Sequence, residues 1–416
     1  MSDQQSMSMG MRVKLSAMMF LQFMMLPVWF IPMFGYVNKM EGGAQWAFWC
    51  GLIMAFGTIS SPLFGMFADR FMNSEKVLAL CNFAGAALLA WAWKIQDPKM
   101  LFIALLLVML FYMPTWSLTA TIAMSNSTTE AFPQIRVFGS LGWVASAVFS
   151  IIGTKVFGIQ NFDGTAYIFL GGAIAAVLGG VLALFLPPTP PKAKGTPMSI
   201  ADALGLKSLV LFKRMDFAVF AILILLAMIP FQWYNVYNGI YLQEKGFEFI
   251  TLTMNLGQVF ELIFMLLIPV ILKKAGYKWA MVIGLAALVF RYAAFYGGSH
   301  YGCVAGNFGG ILIHGLIFGL LIIGSQMYVD AAAPAELRGQ AQGLIGLIMF
   351  GGGSLLSNWV FDKLLAANVQ TVPGNGGVDV LVHNWDGPYM VALGMAVVLM
   401  ISMALLFNPK KNDKAA

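Results

Sequence analysis

Glu261 lies near the middle of Thr251–Leu272, a stretch that carries no other charge. A carboxylate at mid-depth in hydrocarbon costs several kcal/mol on insertion scales, so it must face protein or a water-filled path, and it is a functional candidate. Asn255, Gln258 and Glu261 follow one another at a spacing of three, which places them on one side of a helix. Gln232 and Asn235 form a second pair at the same spacing. Amides both donate and accept hydrogen bonds, and a carboxylate can accept them or hold a proton. Such a wall could bind a solute rich in hydroxyl groups and could also carry a proton.

Positioning these groups requires helices that cross a bilayer. Of 416 residues, 60% are hydrophobic and only 10% charged, and the mean hydropathy is +0.80. These values exclude an ordinary soluble globular protein. Apolar segments fall near 14–37, 44–67, 76–96, 100–125, 136–158, 164–187, 216–241, 250–272, 277–298, 303–329, 337–366 and 386–408. Each has the length of a membrane-crossing helix, which also excludes an outer-membrane barrel with its short alternating strands.

The widest polar interruption is 188–215, where Pro188, Pro190, Pro191 and Pro197 mix with Lys192, Lys194, Lys207, Lys213 and Arg214. It reads as a cytoplasmic linker between a six-helix domain at 1–187 and another at 216–416, with a short surface helix expected near Ile200–Leu211. Most of the 24 Lys and Arg residues, among them Arg12, Lys14, Arg70, Arg136, Lys273, Lys274, Arg338 and Lys410, then fall on the side of the termini. The expectation is an all-α, twelve-helix protein with both termini in the cytoplasm. The net charge of +6 is this orientation signal and requires no nucleic-acid partner.

Several features point away from catalysis. Cys50, Cys81 and Cys303 lack metal-ligand spacing, and His300, His314 and His383 are far apart. No nucleophile, base or metal set converges, so neither an enzyme nor a cofactor or metal is expected. Gly351-Gly352-Gly353 lacks the Lys-Ser/Thr of a phosphate loop and reads as a packing point. The polar start leads directly into a full-length span, so no cleavable signal peptide is expected.

At the end of the second segment, Gly65-Met-Phe-Ala-Asp69-Arg70 resembles the loop signature of the major facilitator superfamily. Asp69 and Arg70 would then form a gating latch at a helix end. Further strings resemble the bacterial nucleoside:proton symporter family within that superfamily. They are Leu21-Gln22-Phe23 with Trp29, Tyr112-Met-Pro-Thr115, Phe132-Pro-Gln-Ile-Arg136-Val-Phe-Gly139-Ser140-Leu-Gly142-Trp143, Gln232-Trp-Tyr-Asn235, Gln258-Val-Phe-Glu261, Phe290-Arg291-Tyr292 and Arg338-Gly-Gln-Ala341-Gln342-Gly343. Their order spans roughly 14–408.

The resemblance implies two domains alternating access to a site near mid-membrane. Gln232, Asn235, Gln258 and Glu261 would bond a nucleoside's ribose and base edges, while Trp143 and Phe318 would offer stacking faces. Arg136 and Ser140 match positions near a proton-coupling network. The rest of Gln232-Trp233-Tyr234-Asn235-Val-Tyr237-Asn238 adds aromatic and amide groups to that inventory. The same residue types suit a sugar or related polyol, so they leave that reading open.

One departure concerns coupling. Gly319 stands immediately after Phe318, where the family commonly carries an acid. Glu261, or His314 five residues before Gly319, is then the candidate proton site, and an uncoupled facilitator is equally compatible. Each residue also has a structural alternative: Glu261 as a paired acid, Arg136 as an orientation charge, His314 and Trp143 as packing groups, Gln232 and Asn235 as interhelical bonds, and Arg291 as an interface anchor or salt-bridge partner. The expectation is a multi-pass, monomeric transporter of the bacterial inner membrane, surrounded by lipid, that takes up nucleosides with protons.

Overall fold

The computed structural model describes residues 7–127, 131–191, 206–265, 267–334, 337–373 and 379–410. Among these residues, ten helices are long and apolar enough to cross a membrane, and two shorter apolar helices, Tyr167–Ala183 and Ile250–Phe264, accompany them. Large side chains such as Ile222, Ile263, Trp359 and Val398 are exposed on helix flanks, the surface a helix shows to hydrocarbon.

In chain order the helices are α1 (Met9–Met25), α2 (Pro27–Asn38), α3 (Gly43–Thr58), α4 (Ser60–Arg70), α5 (Ser74–Ala92), α6 (Pro98–Ser125), α7 (Phe132–Ala145), α8 (Ala147–Lys155) and α9 (Tyr167–Ala183). They continue with α10 (Met215–Glu244), α11 (Ile250–Met265), α12 (Ile268–His300), α13 (Val304–Leu312), α14 (His314–Ile317), α15 (Gly324–Ala332), α16 (Arg338–Gly346), α17 (Gly353–Ala366) and α18 (Asp386–Leu406). Local chemistry sets some of the ends. Ser8 caps α1 by accepting from Met11 N at 3.3 Å, and Asp97 caps α6 by accepting from Met100 N at 2.7 Å. Pro27 and Pro98 occupy first turns, where a missing N–H is harmless.

The break expected between the eighth and ninth segments, at 273–276, is present as a kink at Gly276, whose φ of 71° is open to glycine. The eighth segment is also interrupted earlier, where Pro269 lies in the first turn of α12. Of the expected linker, residues 192–205 lie outside the described residues, and Leu206–Lys213 is a 3-10 helix.

A hairpin of β1 (Val369–Pro373) and β2 (Asp379–His383) was not expected from hydropathy. It pairs antiparallel with Val369 opposite His383. Glu244, ending α10, holds it in place: Oε1 meets His383 Nδ1 at 2.6 Å, and Oε2 accepts from Trp385 Nε1 at 2.7 Å.

The chain forms two compact units, Met1–Met198 with Glu248–Asn255, and Ser199–Phe247 with Leu256–Ala416. The first unit has a buried amide network. Asn82 Nδ2 donates to Gln22 Oε1 at 3.0 Å, and Gln22 Nε2 donates to Thr115 Oγ1 at 2.8 Å. Tyr112 donates to the Gln22 carbonyl at 3.1 Å, so α1, α5 and α6 are joined with the amides' polarity satisfied inside the protein. Glycine brings α7 onto α1, because a Cβ at Gly142 would stand 2.0 Å from the Phe20 carbonyl oxygen.

The second unit is held by an aromatic core. Trp233 stacks on Phe361 with centroids 4.3 Å apart and planes 6° apart, and Tyr292 and Tyr389 also pack on its indole. The Trp233 ring is thus occupied by packing inside this core, and Tyr237 is 2% exposed. The space bounded by Trp233, Tyr234, Asn238, Tyr292 and Tyr389 has no room for a water molecule.

Candidate functional site

In the second unit, α10 presents Gln232 and Asn235 as a bonded pair. Asn235 Nδ2 donates to Gln232 Oε1 at 3.0 Å, and Gln232 Nε2 donates to Ser354 Oγ of α17 at 2.9 Å. Gln232 is buried and Asn235 half-buried, so the pair is oriented by Ser354. Sequence reasoning missed that serine, which lies next to the glycine run at 351–353.

Glu261 is 6% exposed. It sits where α11 crosses the segment starting at His314, and two glycines allow the approach. A Cβ at Gly315 would come within 2.2 Å of Glu261 Cα, and one at Gly257 within 2.9 Å of His314 Cβ. Gly257 and Glu261 are four residues apart, so they share a helix face. Gln258, half-buried, is on the same helix. Asn255 departs from the expected wall: within the first unit its amide donates to Ser146 Oγ at 3.0 Å and to the Trp143 carbonyl at 3.2 Å.

The tenth span is not a uniform helix. Its α-helical pattern stops at Leu312, restarts at His314, and widens into a π-helical turn over Phe318–Ile323. Such turns recur at functional sites. The imidazole of His314 stacks with two rings, Phe231 at 5.9 Å and Phe318 at 6.0 Å. Phe318 itself is half-buried.

Arg291 is a correction. Expected as an interface anchor or a salt-bridge partner, it is fully buried, and Nη2 contacts His314 Nδ1 at 2.9 Å. A guanidinium only donates, so Nδ1 is the acceptor and the ring proton resides on Nε2. A second proton on His314 would have to displace Arg291. Gly319 is a crowded position: a Cβ there would stand 2.0 Å from Ile268 Cδ1. The sequence has no acid between Glu261 and Asp330, so no shift of register supplies one.

The residues expected in the first unit are arranged around α7. The Arg136 guanidinium lies 4.2 Å over the Phe23 ring, which stacks on Trp116 at 5.5 Å. Ser140, one turn further along, is half-buried. Trp143 packs against the cluster around Leu15, Met18 and Met19, while its indole N–H is buried without a partner among the described residues. Asp69 and Arg70 close α4, and the Asp69 side chain lies outside the described residues.

A further acid came from neither composition nor spacing. Asp163, on the turn Phe162–Gly164, is 0% exposed and accepts from Thr251 N at 2.8 Å, which caps the start of α11. Burial pushes this carboxyl above its usual range, opposed by the Thr251 hydrogen bond.

Apolar helices with buried amides and a buried carboxylate within an apolar span describe a multi-pass membrane transporter, and known proteins agree. The crystal structure of the nucleoside transporter NupG superposes with a TM-score of 0.81 at 25% identity, covering 97% of this chain and 100% of that one; the fold is that of the major facilitator superfamily. The putative nucleoside transporter YegT of Escherichia coli is 35% identical over 97% of this chain and 95% of its own. The nucleoside permease NupG of E. coli is 27% identical over 97% of each. The family model for the nucleoside H+ symporter matches residues 9–412, and the chain belongs to that family.

Proposed function

We propose that this protein takes up nucleosides together with protons across a bacterial inner membrane, by alternating access of domains 1–187 and 216–416 linked through 188–215. The observation that carries this reading is Glu261, a nearly buried carboxylate beside a break in the tenth span, in a chain of the nucleoside H+ symporter family. Gln232, Asn235, Gln258 and Glu261 bond the ribose hydroxyls and base edges, with the first pair held ready by Ser354. Phe318 and Trp143 supply aromatic faces, and the indole N–H of Trp143 supplies a donor.

Glu261 carries the proton in preference to His314, whose Nδ1 is occupied by Arg291. Arg136 and Ser140 belong to the coupling network, and Asp69 with Arg70 gates the cytoplasmic end. The working unit is a monomer in lipid, and its inner-membrane location is supported by the E. coli relatives.

A second reading, a nucleoside facilitator without proton coupling, is favoured by Gly319 and the absence of any acid between Glu261 and Asp330. Uptake of a nucleoside panel into proteoliposomes, with and without an imposed proton gradient, separates the two. Gradient-driven accumulation is expected. Equilibration without accumulation supports the facilitator, and no nucleoside flux in either condition refutes both.

A further inference from the structure

Arg291 is a buried cation whose hydrogen bonds straddle the discontinuity in the tenth span. A helix end leaves carbonyls without helical partners, and Gly310, in the last turn of α13, is one whose oxygen accepts from Arg291 Nε at 3.0 Å. On the other side of the break, Nη2 donates to Nδ1 of His314, the first residue of α14. The guanidinium plane is supported from α10, with its carbon 4.0 Å from the Tyr234 ring centroid.

The clamp has a route to the ligand face. His314 stacks on Phe318 four residues later, with planes 25° apart, and the next residue, Gly315, lies against the Glu261 backbone. Arg291 therefore touches the two sides of the break, and His314 passes its position to an aromatic face and to the helix carrying the carboxylate. Nη1 has no partner among the described residues although fully buried, so desolvation of the guanidinium is not fully offset by packing.

We propose that Arg291 is a positioning residue for transport: by clamping Gly310 and His314 across the break, it fixes the Nε2–H tautomer of His314 and, through the ring stack, the plane of Phe318. This rests on the nucleoside reading only in assigning Phe318 to the substrate.

Two measurements test it. Nitrogen-15 histidine NMR of the full chain in nanodiscs needs only three side chains resolved, His300, His314 and His383, with His314→Gln giving the assignment. The wild-type His314 signal is expected to show an unprotonated, hydrogen-bonded Nδ1 and a protonated Nε2, and Arg291→Gln is expected to mix the tautomers. A wild-type proton on Nδ1 overturns the clamp without any variant. In uridine uptake, Arg291→Gln is expected to raise KM about tenfold while Vmax stays within about twofold. A folded Arg291→Gln protein with wild-type KM overturns the positioning role. Arg291→Lys, which keeps the charge but not the two-directional fork, serves if the first variant does not fold; it is expected to show the same KM rise, and a wild-type KM counts equally against the role. A wild type that binds and carries no nucleoside refutes the substrate reading, while the NMR result still decides the clamp.

Discussion

Gly315 lies so close to Glu261 that a β-carbon on the glycine would come within 2.2 Å of the Glu261 Cα. The contact is backbone to backbone, so no flexible side chain can yield. Gly315→Ala is therefore expected to lower stability by about 1–3 kcal/mol, typical of overpacking. Gly343, with nothing within 4 Å of its β position, is the control: Gly343→Ala should be neutral or stabilising, because alanine favours a helix. Thermal unfolding in one detergent reads both, and equal losses at the two positions would refute the close crossing.

Glu261→Gln keeps the shape and hydrogen-bonding capacity of the side chain but cannot take up and release a proton. Gradient-driven accumulation of uridine should be lost, while counterflow exchange between preloaded and external nucleoside should persist. Unaltered accumulation in the variant would remove Glu261 from the coupling role.

The orientation of Gln232 by Ser354 predicts a graded response. Gln232→Ala removes a proposed ligand contact and should raise KM for uridine about tenfold, the equivalent of about 1.4 kcal/mol. Ser354→Ala only frees the amide to rotate, so a smaller rise is expected. Competition by nucleosides but not by hexoses should accompany both. Competition by hexoses in the wild type would favour a sugar or polyol ligand instead.

Asp163 gives a pH dependence with a definite sign. Burial raises its pKa in the folded state, so folding takes up protons between the unfolded and folded values. Stability from this group is fully present below the unfolded value and falls as pH rises through the folded one. Asp163→Asn keeps an acceptor for Thr251 N without the charge. It should melt higher than wild type at neutral pH, and the difference should vanish in acid. Asp163→Ala loses the cap at every pH, by about 1 kcal/mol. A pH-independent difference between Asn and wild type would contradict the buried charge.

The apolar segments were legible because hydropathy is a local property, and Glu261 was legible because a lone acid stands out against it. The discontinuity at Ile313 was not, since no proline marks it and α-helical spacing continues on both sides. Arg291 was misplaced for a related reason: its partners, Gly310, His314 and Tyr234, come from other helices, and a single charge near the end of a segment resembles an anchor. The hairpin left a fainter trace. Val369-Gln-Thr-Val and Val380-Leu-Val flank Asn375-Gly376, a strong turn dipeptide, but it lies in a stretch read only for its lack of hydropathy. Asn255 satisfied the spacing rule and still turned elsewhere, because spacing fixes a face and not the partner that meets it.

Gly319 bears on how this lineage can change. A β-carbon at 319 meets the tip of Ile268, itself 3% exposed, so an aspartate cannot enter while that isoleucine keeps its rotamer. A turn of that flexible tip, or its trimming to valine, makes the room, so what position 319 can hold is decided by the side chain at 268.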